Sequence, residues 1–234
     1  MGVVLLAGCG GLDGTQAETT RASFFAPKSS EASSATVLDG QFKIAGPRGY
    51  CVDSGASRET AKGAFVILGH CRALDVKGPK ARQAAVITVS IAPNAGEVDE
   101  PTLDALSSFL SSDKGRATLR RSYGAHDVVI EDMEREAGLL VLRANDGGSN
   151  EMSAEYWRAI MGLHEALVTV TVSGLKEEPS DAATLRGLVF DTAVRLQNLN
   201  AKQSSEGAQS VQSTPKLPAE KPAKPLKDWL NRLL

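Results

Sequence analysis

Residues 168–173 read Val-Thr-Val-Thr-Val-Ser, apolar and hydroxyl side chains in strict alternation. Successive side chains of a strand point to opposite faces, so this period of two predicts a half-buried strand with Val168, Val170 and Val172 on the core side. The chain must therefore build a sheet with one face in the core. A second β-branched run, Ala85–Ile91 (AVITVSI), reads as another strand. Val128–Met133 and Gly138–Arg143 read as a hairpin joined by the charged turn Glu134-Arg135-Glu136, and Asn145–Asn150 as a further turn. Ala154–Leu163 passes from a turn into a strand.

Two helices punctuate these strands. Asp99 caps a helix that begins at Glu100-Pro101 and carries Leu103, Leu106, Phe109 and Leu110 on one face. It frays near Ser111–Gly115, and Arg116–Ser122 adds a helical turn. Pro179-Ser180 opens the second helix, with Ser180 as its cap and Leu185, Leu188, Val189, Thr192, Leu196 and Leu199 at helical spacing. The order of hairpin, strand, helix, antiparallel strands and helix predicts an α+β fold, an antiparallel sheet flanked by helices. Aromatics make up only 5% of the 234 residues, so the core is expected to be aliphatic. A net charge of −2 gives no electrostatic case for nucleic acid. No window approaches the roughly 18 consecutive apolar residues of a membrane-spanning helix. Both ends are low in complexity, which leaves one globular domain over 37–200.

The chain opens with Met-Gly-Val-Val-Leu-Leu-Ala-Gly-Cys. Leu6-Ala7-Gly8-Cys9 resembles the lipobox of bacterial lipoproteins: an aliphatic residue, two small residues that fit a protease cleft, then Cys. The resemblance implies a diacylglycerol on the Cys9 sulfur, cleavage before Cys9, and acylation of the new amine by a fatty acid such as palmitate. A secretory signal needs a basic start and an apolar stretch of about 7–15 residues. Here eight residues precede Cys9 and none is charged, so 1–8 is read as a truncated signal peptide. The alternative is an ordinary apolar N-terminus with a chance Cys. Residues 10–36 are dominated by Gly, Ser, Thr and Ala, which makes 9–36 a flexible lipid tether. The resemblance places the protein in the bacterial envelope, lipid-anchored and facing the periplasm. Gly10 stands where an Asp would favour inner-membrane retention in some bacteria, which leans the expectation to the outer membrane.

With Cys9 set aside, Cys51 and Cys71 remain, and an even pair in an oxidising compartment invites a disulfide. Gln41–Val52 and Ala64–Cys71 read as strands, and folding that hairpin about Ala61 sets Cys51 opposite Cys71. The alternatives are two buried free thiols, or a metal site with His70, which would lack a four-ligand set. No metal and no cofactor is expected.

Tyr156-Trp157 precedes the Thr/Val-rich strand, and a closing amphipathic helix ends near Arg195-Leu196. Over residues 128–199 this pattern resembles the fold shared by the photosystem PsbP proteins and the Mog1 family. That resemblance implies a sandwich of sheet and helices, and a non-catalytic binding or assembly role.

Catalytic signatures such as GxSxG, HExxH and phosphate-binding glycine loops are absent from the sequence. His126-Asp127 with Glu131 forms a candidate general-base group, with a solvated loop pair as the plainer reading. His164 reads as a partly buried core histidine, His70 as exposed on the hairpin edge, and Asp53-Ser54 as turn-forming. Tyr156 and Trp157 are candidates for a ligand cleft or for packing.

Residues 201–225 form a Pro-rich linker, ending in Pro225-Leu-Lys-Asp-Trp-Leu-Asn-Arg-Leu-Leu. Leu226, Trp229, Leu230, Leu233 and Leu234 make an apolar stripe at helical spacing over 226–234. So short a helix needs a cover: a groove on a partner protein, a membrane surface, or its own domain. The plain alternative is a floppy tail. These features together favour a lipid-anchored envelope protein with a binding or assembly role. An envelope hydrolase using His126 and a small-ligand-binding lipoprotein using Tyr156 and Trp157 are the alternatives.

Overall fold

The computed structural model describes residues 33–121, 127–149 and 151–207, the side chains of 202–207 excepted. Cys9, most of the tether, His126 and the stripe from Leu226 to Leu234 lie outside the described residues. The architecture is α+β. Strands β3 (Tyr50–Thr60), β4 (Gly63–His70), β5 (Ala85–Ala92), β6 (Val129–Glu136), β7 (Leu139–Asn145), β8 (Met152–Leu163) and β9 (Ala166–Leu175) form one seven-stranded sheet. Its order is β3-β4-β5-β9-β8-β7-β6, and every neighbouring pair is antiparallel. β1 (Ser34–Val37) and β2 (Phe42–Ala45) form a separate two-stranded ribbon. β1 thus takes in Ser34–Thr36, read from sequence as tether.

The chain lays down β3, β4 and β5, then crosses the sheet through α1 (Glu100–Leu110) and α2 (Asp113–Thr118) to the far edge. It returns through β6, β7 and β8, so that β9 closes against β5. The last helix, α3 (Ala182–Gly207), covers the opposite face, called the back here. Leu185, Val189, Ala193 and Leu196 of α3 share a core with Val168, Val170, Val172, Ile87 and Val89 of the sheet and Phe42 and Ile44 of β2. Asn200, fully buried, ties α3 to β2: its Nδ2 donates to the Lys43 carbonyl (3.0 Å) and its Oδ1 accepts from the Lys43 N–H (2.8 Å). On the front face Leu103, Leu106 and Leu110 of α1 pack with Leu119 on Leu140, Leu142, Tyr156 and Ile160. No described helix is long and apolar enough to cross a membrane.

Several local expectations change. The β6–β7 turn is Ala137-Gly138, both at positive φ (52° and 74°), the backbone of a two-residue hairpin. Glu134, Arg135 and Glu136 therefore belong to the strand, where Glu134 and Glu136 hold Arg186 of α3. The cap of α3 is Asp181, whose carboxylate accepts from the Thr184 N–H (2.9 Å). Ser180 instead faces Gln83 (3.3 Å). Asp99 caps α1 as expected, accepting from Thr102 N–H (2.9 Å), whereas α2 starts earlier than expected because Ser112 accepts from the Gly115 N–H (3.1 Å).

Cys51 and Cys71 are joined in a disulfide, with Cα atoms 4.8 Å apart. The register that joins them is not the expected one. Cys51 pairs with Gly69 and Tyr50 with His70, and a bulge between Asp53 and Arg58 absorbs the extra residues. Within it Asp53 Oδ1 accepts from the Ala56 N–H (3.0 Å), and the Ser57 hydroxyl donates to the Asp53 carbonyl (2.6 Å). Cys71 lies just beyond β4, opening the short 3-10 turn Cys71–Leu74, with its N–H on the Gly49 carbonyl (2.9 Å). The bridge therefore closes the foot of the hairpin rather than a cross-strand pair.

Candidate ligand-binding trough

The two crossover helices cover only the β7–β8 half of the front face. On the other half, β9 presents Thr169, Thr171 and Ser173, the residues that alternate with its core valines. β5 places Ser90, Thr88 and Val86 directly beside them. β4 continues the rows with Phe65 beside Ser90 and Ile67 beside Thr88. A shallow trough of about 550 Å³ lies over all of these but Ile67, within the usual range for small-molecule sites. Its wall is made by Arg158 and Met152 of β8, the loop from Asp146 to Ser149, and Thr118, Arg120 and Arg121 at the end of α2.

Two arginines of this wall reach down to the β9 hydroxyls, and they differ in kind. Arg121 is fully engaged. Its Nε donates to Asp146 (2.8 Å), its Nη2 makes a second, short bond to the same carboxylate, and its Nη1 donates to the Ser173 hydroxyl (2.9 Å). Nη2 also serves the Ser153 and Ala154 carbonyls (2.8 and 3.1 Å). The Asp146 side chain is 2% exposed. Burial alone would raise its pKa. The bonds and charge of Arg121, with the Gly148 and Arg121 backbone N–H groups, outweigh burial and hold the carboxyl below the usual aspartate range. Gly148 sits at φ 74°, and a Cβ there would stand 2.8 Å from the Met152 carbonyl, so the loop that presents its N–H to Asp146 requires glycine. Asp146 is thus a fixed counter-ion, not a group poised to exchange a proton.

Arg158 is half-buried, and its Nε donates to the Thr171 hydroxyl (2.9 Å). The guanidinium lies over the Tyr156 ring at 5.2 Å. Among the described residues no carboxylate pairs with it, and its Nη groups donate to nothing. Desolvation lowers its pKa, but a guanidinium starts so high that it keeps its charge. Among the described residues the trough therefore holds one cation, Arg158, without a counter-charge.

Tyr156 and Trp157, expected together at a cleft, lie on opposite faces of β8 and are both buried. The Tyr156 hydroxyl donates to the Leu119 carbonyl (2.8 Å), and the ring forms a floor beneath Arg121 (4.4 Å) and Arg158. Trp157 packs on the back, flanked by Arg143 and Arg186 at 6.0 Å each, with its buried Nε1 unbonded. Neither ring lines the trough. Asp127 is exposed and pairs with Arg120 (2.7 Å), while Glu131 pairs with Arg143 (3.4 Å), so these two carboxylates are drawn to different arginines. His70 is half-buried rather than exposed, its Nε2 donating to the Gln83 carbonyl. That carbonyl also accepts from Tyr50 (2.8 Å), whose hydroxyl burial pushes up to about 12. His164 is exposed at the β8–β9 turn rather than in the core, edge-on to Phe42. Among the described residues no group of three or more His, Cys, Asp or Glu is placed to hold a metal ion.

The chain matches no family model, no curated protein and no solved structure. The residues that build the trough, Arg121, Asp146, Arg158, Thr88 and Ser90, were not singled out by sequence reasoning. Their signal was present: two strands with hydroxyls on alternate positions, and a lone arginine inside the apolar run Tyr156–Met161.

Proposed function

We propose that this chain is a ligand-binding module of the bacterial cell envelope, held at the membrane by lipid on Cys9, with the trough as its binding surface. The carrying observation is the uncovered half of the front face. A sheet covered on its back by α3 and the β1–β2 ribbon, and on half its front by α1 and α2, leaves an open hollow in which hydroxyls and guanidinium groups stand among a few apolar side chains. Such groups recognise by hydrogen bond and charge, and the one carboxylate among them is neutralised by Arg121. The disulfide between Cys51 and Cys71 agrees with an oxidising compartment, and the lipobox-like Leu6–Cys9 supports the anchor. In this reading the Leu226–Leu234 stripe docks a partner protein at the end of its linker.

Native mass spectrometry of the protein purified from envelopes tests the trough. A small-molecule adduct is expected on the wild type and absent from Thr88→Trp, which fills the hollow. An adduct retained by Thr88→Trp would refute the location. Mass spectrometry of the N-terminal peptide tests the anchor: an unmodified Cys9 would remove it.

A further inference from the structure

We propose that the trough binds the phosphate group of an amphiphilic phosphoester, with Arg158 as the anchor and Phe65 at the far end. The proposal rests on the binding role argued above and specifies its ligand. Arg158, Thr171 and Thr88 form one row across three adjacent strands. Thr169 and Ser90 stand side by side in the next row. Among the described residues no carboxylate pairs with Arg158, and a half-buried charge without a counter-ion is costly, so an anion bound there would offset that cost. The two Nη groups of Arg158 are the donors left for it.

The surroundings select the anion. A carboxylate offers two oxygens in one plane, and one guanidinium fork can engage both. Here donors stand on three adjacent strands: Arg158 from β8, Thr169 from β9, and Thr88 and Ser90 from β5. A tetrahedral phosphate, with three or more acceptor oxygens, can use them together. Asp146 does not oppose it, because Arg121 neutralises that charge.

The far end carries an exposed aromatic. Phe65 is 40% exposed, the one aromatic among the exposed large hydrophobics of the described residues, and it lines the trough beside Ser90 of β5. It lies three strands from Arg158, roughly 14 Å at the usual strand spacing. A ligand with phosphate at one end and a short hydrocarbon arm spans that interval.

Titration calorimetry on the full chain with three probes tests this: inorganic phosphate, dihexanoyl phosphatidic acid (a phosphomonoester) below its micellar concentration, and dihexanoylglycerol, which has the same chains and no phosphate. The phospholipid is expected to bind at least tenfold more tightly than the neutral glyceride, and inorganic phosphate in excess should displace it. Arg158→Gln should weaken the phospholipid at least tenfold and leave the glyceride unchanged, and the surface control Lys62→Gln should change neither. Inorganic phosphate binding as tightly as the phospholipid would support the phosphate site but show that a free phosphate, not a headgroup, is its source, and would overturn the role of Phe65. Phosphorus NMR of the phospholipid with wild-type protein gives a readout independent of any variant, and line broadening reversed by inorganic phosphate is expected. Equal affinity for phospholipid and glyceride, or no effect of Arg158→Gln, would overturn the anion site while leaving the trough as a binding surface. Silence from all three probes, with no adduct in the native protein, would overturn both.

Discussion

The two halves of the front face belong to one sheet and solve the burial problem in opposite ways. Over β7 and β8 the forward residues are Leu140, Leu142, Tyr156 and Ile160, and the crossover helices settle on them. Over β9 and β5 they are Thr169, Thr171, Thr88 and Ser90, and no described helix covers them. The chemistry of alternate residues in a strand thus decides where a helix lies, because hydroxyls gain little from leaving water. The two arginines at the boundary follow the same division. Arg121, on the covered side, holds a carboxylate, a hydroxyl and two backbone carbonyls; Arg158, on the open side, has one hydroxyl. One has its donors spent within the fold; the other keeps both Nη groups unspent among the described residues.

The sharpest way to break that contrast is Asp146→Ala. It strands Arg121, whose side chain is 16% exposed, as an uncompensated charge. Breaking a buried pair from one side costs about 3–5 kcal/mol, so a urea titration should show a loss near the lower end of that range. A loss under about 1 kcal/mol would mean the pair contributes no more than a surface ion pair.

The open half has no described helix on its front face, and the disulfide fastens the foot of β3 and β4. Cys51 and Cys71 are 20 residues apart, a loop whose closure is worth about 3 kcal/mol in the chain-entropy model. The double variant Cys51→Ala, Cys71→Ala should lose about that much. Hydrogen exchange should show β3 and β4 loosening before β7 and β8. Uniform loosening would mean the halves do not differ in local stability.

Acid separates the same two regions. Asp146 binds its proton less tightly when folded than when unfolded, so the unfolded state holds more protons in the window between the two values. Its contribution is present above the ordinary aspartate range, about pH 4, and is lost as pH falls through the lower folded value. The wild type should therefore lose stability more steeply below pH 4 than Asp146→Ala. Parallel curves would show that other carboxylates, such as the caps Asp99 and Asp181, set the acid limb.

Much of this division was legible in residues 168–173 and 85–91, where hydroxyls replace every second apolar residue. The Asp99 cap and the cysteine pair were legible too, since each depends on local spacing. The hairpin register was not, because the Asp53–Arg58 bulge is set by hydrogen bonds to Ser57 and Asp53 that no hydrophobic pattern marks. Nor was the Ala137-Gly138 turn, since the neighbouring charges Glu134–Glu136 face solvent and α3 as readily from a strand as from a loop. The trough was not legible for a further reason. Arg121 and Asp146 meet only because α2 and the β7–β8 loop converge, and the sequence does not encode that distance locally.

The smallest expected effect is the most telling for the contrast. Arg158→Gln removes a hydrogen bond to Thr171, worth about 1 kcal/mol, and also removes a half-buried charge that no carboxylate among the described residues balances. The two effects oppose, so the ligand-free variant should melt within about 1 kcal/mol of wild type, on the stable side if desolvation dominates. Residues kept for binding at a cost to the fold behave this way, whereas a structural arginine loses stability when removed. Matched urea titrations of Arg158→Gln and Asp146→Ala decide it. If Arg158→Gln also falls by 3 kcal/mol or more, Arg158 is as structural as Arg121, and the open half-face is held by charge much as the covered half is held by helices.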